Sequence, residues 1–227
     1  MLITINDVLT PDELATTRTL LAQSRWTSGL VTAGVQAAQA KQNQQLPEDA
    51  PHLSALRRLV LGALQRNALF FSAALPLKIL PPFFNRYAGA ENRYGYHTDN
   101  AMRMLPDRSG YVRADVSATL FLNDPEDYEG GELVIEDTFG THGVKLKAGS
   151  LVVYPSSSIH QVTPVVRGER IACFMFLQSM VRDPGQRRLL FDMDMALMDL
   201  RAQTGETGPA VRLTGVYHNL LRRWAES

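Results

Sequence analysis

The chain has 227 residues, 45% of them hydrophobic, which is enough to bury one sizeable core. Its 23 basic and 23 acidic residues cancel, so the net charge provides no attraction to nucleic acid or to anionic lipid. The one cysteine, Cys173, cannot form an internal disulfide, and the first residues lack the basic and apolar segments of a secretion signal. No apolar stretch is long and uninterrupted enough to span a bilayer. We therefore expect a cytoplasmic protein that binds neither nucleic acid nor a membrane.

Two helices are predicted in the N-terminal part of the chain. The first covers residues 10–25, because Thr10 can cap it and Glu13 can complete a capping box. The second lies within residues 51–75, where leucine and valine recur at helical spacing. Between them, residues 28–50 carry few large apolar side chains, which indicates a mobile loop in that segment.

From Lys78 to Val181, short β-branched and aromatic runs alternate with glycine, proline or acidic turns, a pattern typical of antiparallel β structure. Eight strands of this length suit a double-sheet jelly roll, whose open end can hold a ligand. The predicted strands are Pro82–Tyr87, Arg93–His97, Ala114–Leu122, Glu132–Glu136, Gly143–Leu146, Leu151–Tyr154, Gln161–Val166 and Arg170–Met180.

The C-terminal part of the chain returns to a helical pattern after Asp183-Pro184-Gly185. Its last predicted helix lies near Val211–Trp224, and these helices indicate a small module packed on the β core. The fold class is therefore mainly β with flanking helices. We expect N-terminal helices at 1–77 that pack on the core, the jelly-roll core at 78–182 and a C-terminal helical domain at 183–227.

His97 and Asp99 lie two residues apart in a predicted strand, so their side chains point to the same face and can reach one metal ion. His160, on a strand far along the chain, is the best candidate for a third ligand. Two histidines and one carboxylate on one face of an octahedron describe a non-haem iron(II) site with positions left for cosubstrate, oxygen or water. Taken singly, each histidine is more simply an ordinary polar residue of a strand.

Arg170 follows His160 by ten residues, and Gly168 between them is placed to turn a hairpin. Such a hairpin would put His160 and Arg170 on adjacent strands, where the guanidinium can bind a carboxylate through two parallel charge-assisted bonds. 2-Oxoglutarate has the matching shape, since one end can chelate iron while its far carboxylate meets the guanidinium. An ordinary ion pair of Arg170 with Glu169 or Asp115 is the alternative.

An ordered set of motifs runs through the predicted β core: Tyr87, Tyr94-x-x-His97-x-Asp99, Gly130-Gly131-Glu132-Leu133, Gly149-Ser150-Leu151-Val152, His160-x-Val162-x-Pro164-Val165 and Gly168-x-Arg170. Together they resemble the prolyl-4-hydroxylase-like family of iron and 2-oxoglutarate dioxygenases, and more narrowly the bacterial PKHD-type hydroxylases. The resemblance covers about residues 78–180, where it implies a double-stranded β-helix. The helical tail is similar to the C-terminal domain of this bacterial branch.

The resemblance implies an Fe(II)- and 2-oxoglutarate-dependent hydroxylase that uses O2 and releases succinate and carbon dioxide. It assigns the iron to His97, Asp99 and His160. It assigns the 2-oxoglutarate cosubstrate to Arg170 and Tyr87, and it implies L-ascorbate (vitamin C) as the reductant that keeps the iron ferrous. It also implies an association with bacterial iron uptake.

Several points stay open at this level. Some relatives have serine or threonine two residues beyond the arginine, where this chain has Ala172, so a second donor to the carboxylate must come from elsewhere. The substrate is a small molecule or a protein side chain, selected by loops such as 28–50 and 100–112. A non-catalytic sensor of iron or 2-oxoglutarate, or a metal isomerase or hydrolase that ignores oxygen, would use the same ligands. A homodimer through the methionine-rich helix around Met193 is also left open.

Overall fold

The structure, a computed structural model, describes residues 1–32, 39–138 and 140–226, and the side chains of 31 and 32 are not described. Residues 33–38, the middle of the segment predicted as a mobile loop, therefore lie outside the described residues. The helices that lie wholly within the described residues are α1 Pro11–Ala22, α2 Leu53–Gln65, α3 Ala68–Ala74, α4 Pro184–Thr204 and α5 Gly208–Trp224.

Two antiparallel sheets form the double-stranded β-helix. The large sheet has the order β1-β14-β10-β17-β6-β4-β2, with β5 also paired to β17, and the small sheet has the order β13-β12-β15-β7-β3. Two further pairs, β8–β9 and β11–β16, lie outside both sheets. The strands are β1 Ile3–Ile5, β2 Thr27–Ser28, β3 Lys41–Gln42, β4 Gln44–Gln45, β5 Pro76–Ile79, β6 Phe83–Tyr87, β7 Arg93–His97, β8 Met102–Met104, β9 Tyr111–Arg113, β10 Val116–Phe121, β11 Tyr128–Gly130, β12 Leu133–Asp137, β13 Gly140–Val144, β14 Leu151–Pro155, β15 His160–Val162, β16 Val165–Gly168 and β17 Arg170–Ser179.

The alternation of side chains along β10 separates the two faces of the large sheet. Val116, Ala118 and Leu120 point outward and join a core with Leu56 and Val60 of α2. The intervening residues of β10 point inward, toward the small sheet. The N-terminal helices therefore cover one face of the large sheet, and the other face is left to build an internal pocket.

Two element predictions were wrong for identifiable reasons. The strand predicted at Gln161–Val166 is two strands, β15 in the small sheet and β16 paired with β11, because Pro164 lacks an N–H group and interrupts the ladder. The single helix predicted within 51–75 is two helices, since the Asn67 side chain accepts a hydrogen bond from the Phe70 N–H at 2.9 Å and starts α3 anew. The capping box predicted at the start of α1 is confirmed.

The C-terminal helices have an apolar cluster of their own. Leu190 and Leu197 of α4 and Tyr217 of α5 pack with Leu75 and Val181, which lie at the edge of the β core. Beyond α5, the Glu226 carboxylate lies 3.1 Å from the Arg113 guanidinium of β9. The module is thus attached both by apolar packing and by an ion pair. Among the residues that the structure describes, no helix combines the length and apolar composition needed to cross a membrane.

Gly168 stands where the chain crosses from β16 to β17. Its φ is +75°, and a Cβ at this position would lie 2.2 Å from the Asp127 carbonyl oxygen. We expect Gly168→Ala to lower the free energy of unfolding by about 2 kcal/mol or more, because it adds backbone strain to a clash with main-chain atoms. Urea denaturation of the purified variant measures the change.

Gly62 provides the matched control, because a Cβ there would meet no atom within 4 Å. It lies inside α2, where alanine favours the helix by about 0.5–1 kcal/mol over glycine. Gly62→Ala should therefore raise the urea midpoint. Equal effects of the two substitutions would contradict the conformational role of Gly168.

Candidate active site

Three side chains from the small sheet and the segment after it converge on one point. His97 ends β7, Asp99 follows two residues later, and His160 begins β15, which pairs with β7 so that His160 stands opposite His97. Each of the three offers a ligand atom, and these atoms all lie within 4.8 Å of one another. The arrangement has the donor set and spacing of a metal site.

Backbone carbonyls orient both imidazoles. The Nδ1 of His97 lies 2.8 Å from the Gly95 carbonyl oxygen, and the Nδ1 of His160 lies 3.0 Å from the Ser158 carbonyl oxygen. A carbonyl oxygen only accepts, so each Nδ1 carries the proton and each Nε2 keeps a lone pair for a metal. Burial, and then the neighbouring His160, lower the pKa of His97 to about 3, which keeps this ring neutral at physiological pH.

Two buried serines hold the carboxylate of Asp99. The Ser117 hydroxyl donates to Asp99 Oδ2 at 2.6 Å, and the Ser156 hydroxyl lies 2.7 Å from the Ser117 oxygen. Because Ser117 uses its proton on the carboxylate, Ser156 donates to Ser117. Ser117 lies on β10, so the large sheet positions a ligand that the small sheet presents. Sequence reasoning missed both serines, since single serines in apolar strands carry no pattern.

Arg170 is buried at the start of β17, with only 1% of its surface exposed. Its guanidinium carbon lies 5.3 Å from the centroid of the Tyr87 ring and 5.1 Å from that of Phe121. The Nε has no hydrogen-bond partner. Within the described residues, no carboxylate lies within 4.0 Å of this guanidinium. A buried cation without a counter-charge is costly, which indicates that an anionic ligand binds here.

The alternative partners of Arg170 are engaged elsewhere. Glu169 lies 2.8 Å from Arg86, and Asp115 lies 2.8 Å from Arg113. The predicted hairpin between His160 and Arg170 is also wrong. Its two strands lie in different sheets, because β16 pairs with β11 before the chain crosses to the large sheet. The guanidinium therefore faces the cluster of His97, Asp99 and His160, called the metal-type cluster below, across the space between the sheets instead of lying beside it.

Tyr87 pairs with Arg170 across β6 and β17 and is also 1% exposed. Its hydroxyl oxygen accepts a hydrogen bond from the Asn85 amide at 3.3 Å. Burial raises the pKa of Tyr87, so the phenol keeps its proton. Ala172 stands opposite Asn85 in the same ladder, so the polar side chain at this level of the sheet belongs to the neighbouring strand.

These groups line one pocket between the two sheets. Phe174, Phe176 and Val162 give it apolar walls. Among the described residues, Asp99 is its one acidic lining residue, whereas the basic ones are Arg170, Lys41 and Arg103. Sequence reasoning missed Lys41 and Arg103, which lie on strands of two and three residues.

Other residues considered from the sequence lie away from this pocket. His142 is exposed on β13, with its Nε2 3.1 Å from the Asp137 carboxylate. His52 precedes α2, and His218 lies on α5. Cys173 is fully buried on the opposite face of the large sheet, among the residues that pack against the helices. None of these side chains lines the pocket.

Comparisons with known proteins found two matching family models and relatives of high sequence identity. Residues 82–178 match the model of the 2OG-Fe(II) oxygenase superfamily, and residues 184–226 match that of the PKHD-type hydroxylase C-terminal domain. A PKHD-type hydroxylase of Nitrosomonas europaea is 72% identical over 227 residues, and one of Azoarcus sp. is 74% identical over 228, each alignment covering 100% of both chains. Among solved structures, a Pseudomonas putida prolyl-4-hydroxylase is 27% identical with a TM-score of 0.50, covering 78% of this chain and 92% of its own.

The hydrogen bond from Ser117 to Asp99 leads to a metal-binding prediction. We expect Ser117→Ala to weaken Mn²⁺ binding by about 10–100-fold, the usual effect of removing a partner that orients a metal ligand. Ser117→Thr, which keeps a hydroxyl, should recover most of the affinity. Isothermal titration calorimetry with Mn²⁺ measures both variants.

Ser72→Ala is the control, because Ser72 is a buried serine whose hydroxyl has no hydrogen-bond partner. It should bind Mn²⁺ as tightly as the unchanged protein. Wild-type affinity in Ser117→Ala would show that Asp99 needs no support from β10.

Proposed function

This chain belongs to the PKHD-type hydroxylases of the 2OG-Fe(II) oxygenase superfamily, and on that premise we propose that His97, Asp99 and His160 bind its iron(II). The observation that carries the proposal is the convergence of their ligand atoms within 4.8 Å in a pocket that also contains a buried cation, Arg170. Two imidazoles and one carboxylate are the ligand set of non-haem iron(II) oxygenases. The metal with 2-oxoglutarate and O2 supplies oxidising chemistry that hydroxylates the substrate and yields succinate and carbon dioxide.

The protein's part is to fix the three ligands and leave the facing side open. The carbonyls of Gly95 and Ser158 lock the two imidazoles with Nε2 toward the shared point. Ser117 donates to Asp99 Oδ2, the oxygen that lies 3.8 Å from His160 Nε2, and so fixes the orientation of the carboxylate. These contacts hold the three side chains in place before iron binds, which favours affinity.

We propose that Arg170 and Tyr87 bind the far carboxylate of 2-oxoglutarate. The guanidinium has the geometry for two parallel charge-assisted bonds, and its Nε is available. Since the Tyr87 oxygen already accepts from Asn85, its O–H remains free to donate to the carboxylate. Tyr87 thus serves as the second donor that Ala172 cannot provide.

We propose that residues 78–182 form the catalytic core, supported by helices within 1–77 and carrying the helical module 183–227. The shared core of α2 and β10 and the separate cluster of α4 and α5 support this division. L-Ascorbate as reductant, an association with bacterial iron uptake, a cytoplasmic location and a homodimer all stay predictions.

Membership of the family does not specify one substrate class. The Pseudomonas putida neighbour is a prolyl-4-hydroxylase, which makes a prolyl side chain one candidate. Other protein side chains, a siderophore and a free amino acid are further candidates. Comparing extracts of cells with and without the active enzyme for mass gains of one oxygen atom would identify the product.

Anaerobic titration with iron(II) and 2-oxoglutarate tests the metal assignment. We expect the weak visible charge-transfer band of the chelate in the unchanged protein and its loss in His160→Ala. His142→Ala is the control and should keep the band, because His142 is exposed and pairs with Asp137. A band that survives in His160→Ala would contradict the assignment.

Succinate formation separates catalysis from sensing. An enzyme should release succinate faster when its substrate is present, whereas a sensor would bind both ligands and show only slow background turnover. A sensor is not favoured, since the relatives reported above are hydroxylases.

Arg170→Ala tests the division of roles within the pocket. We expect it to weaken 2-oxoglutarate binding by about 100-fold, since two charge-assisted hydrogen bonds are lost, while Mn²⁺ affinity stays within about threefold. Titrating each ligand separately into the purified variant measures both constants. Arg167→Ala, at an exposed arginine with 71% of its side chain accessible, should change neither. Equal loss of both ligands would refute the division.

A further inference from the structure

Two basic side chains besides Arg170 line the pocket. Lys41 of β3 is 5% exposed, its Nζ donates a hydrogen bond to the Gln45 side-chain oxygen at 3.4 Å, and the same Nζ lies 5.6 Å from the centroid of the Tyr94 ring. Tyr94 in turn stacks on His97, with ring centroids 3.5 Å apart. Arg103 of β8 lies with its guanidinium carbon 4.2 Å from the centroid of the Phe176 ring. Both cations therefore flank the metal-type cluster.

The position of Arg103 separates it from the proposed 2-oxoglutarate clamp. Arg170 and Phe176 lie on the same strand, β17, six residues apart, which corresponds to roughly 20 Å at the usual rise per residue. Arg103, lying over Phe176, is thus at the other end of the pocket from the proposed carboxylate clamp. A 2-oxoglutarate molecule bound between Arg170 and the metal would therefore not neutralise the charge of Arg103.

The charge balance of the pocket points the same way. An iron(II) ion and a 2-oxoglutarate dianion would cancel each other, and Asp99, whose charge acts on both Lys41 and Arg103, is the one acidic lining residue among the described residues. With Arg170, Lys41 and Arg103 in the lining, the pocket therefore carries more positive than negative charge in a half-enclosed space, where like charges repel more strongly than in water. Burial, and then the Arg103 charge, lower the pKa of Lys41 to about 8, as expected for two cations close enough to interact.

Within the described residues, no carboxylate lies within 4.0 Å of the Arg103 guanidinium. The guanidinium instead makes a cation–π contact with the face of the Phe176 ring, which stabilises the cation but provides no negative charge. An incoming anion would relieve the repulsion between the two cations and gain hydrogen bonds from both. A neutral substrate would leave that repulsion unchanged.

We propose that the substrate carries an anionic oxygen group, a carboxylate or a phosphate, which Arg103 and Lys41 bind while the aliphatic or aromatic part lies along Phe174 and Phe176. This inference rests on the proposed function, since it places the substrate beside the iron and 2-oxoglutarate. It selects, among protein side chains, siderophores and amino acids, those that present an acidic group near the hydroxylated carbon.

The test uses three probes of similar shape and different charge: benzoate, phenyl phosphate and benzamide. Each is titrated into the full-length protein loaded with Mn²⁺ and saturating 2-oxoglutarate, and the paramagnetic relaxation of its ring protons gives affinity and proximity to the metal. We expect benzoate or phenyl phosphate to bind about tenfold more tightly than benzamide, the effect of a charge-assisted hydrogen bond. The better of the two anions distinguishes carboxylate from phosphate.

Variants then assign the preference to the named residues. Arg103→Gln and Lys41→Gln should each reduce the preference for the anion to about threefold or less, and Arg103→Lys should retain most of it because the charge remains. Arg108→Gln, at an exposed arginine of the same segment, is the control and should keep the full preference. Recovery in Arg103→Lys separates the charge from any effect of Arg103 on folding.

The outcomes distinguish this inference from the proposed function. Failure of Mn²⁺ and 2-oxoglutarate to bind would contradict the proposed function itself. Normal loading with equal affinity for benzoate and benzamide, or with no binding of any probe, would overturn only the anionic substrate. A preference that survives in both glutamine variants would overturn the assignment to Arg103 and Lys41.

Discussion

The antiparallel pairing of β7 with β15 is the constraint on which the pocket depends. It sets His160 opposite His97, and the chain then places Asp99 two residues further along the same face. Because side chains alternate along a strand, a shift of one residue in this register would turn one imidazole away from the other. Neighbouring strands of the small sheet hold the register, since β12 also pairs with β15 through Ile135 and His160.

The large sheet provides the remaining polar residues of the pocket. Its inner face provides Ser117 on β10, Tyr87 on β6 and Arg170 on β17, all directed into the space between the sheets. Its outer face packs on α2 through side chains that are almost fully buried. The separation of the proposed metal ligands from the proposed carboxylate clamp is thus set by the packing of the two sheets, which suits a site that must hold two ligands in a fixed relation.

The sequence allowed the strand content, the His97 and Asp99 pair and the ordered motifs to be recognised, because periods of two and fixed spacings are local signals. The chemical reason for selecting Arg170 was sound, but the predicted topology was incorrect, because the sequence carries no local signal for the separate β11–β16 pair. Ser117, Lys41 and Arg103 were missed because their importance arises only when distant strands meet. Short strands such as β3 and β8 carry too few residues to show an alternating pattern.

The ion pair between Arg113 and Glu226 links two parts of the molecule that have different tasks. Arg113 belongs to β9, whose partner β8 carries Arg103 at the far end of the pocket from Arg170. The segment after α5 therefore contacts the hairpin that borders the pocket, while no described residue of 184–226 lines the pocket. A substitution in this C-terminal module can thus reach the hairpin that carries Arg103 without touching His97, Asp99 or His160, which makes a part of the chain remote from the proposed metal site a place where substrate selectivity can diverge among relatives.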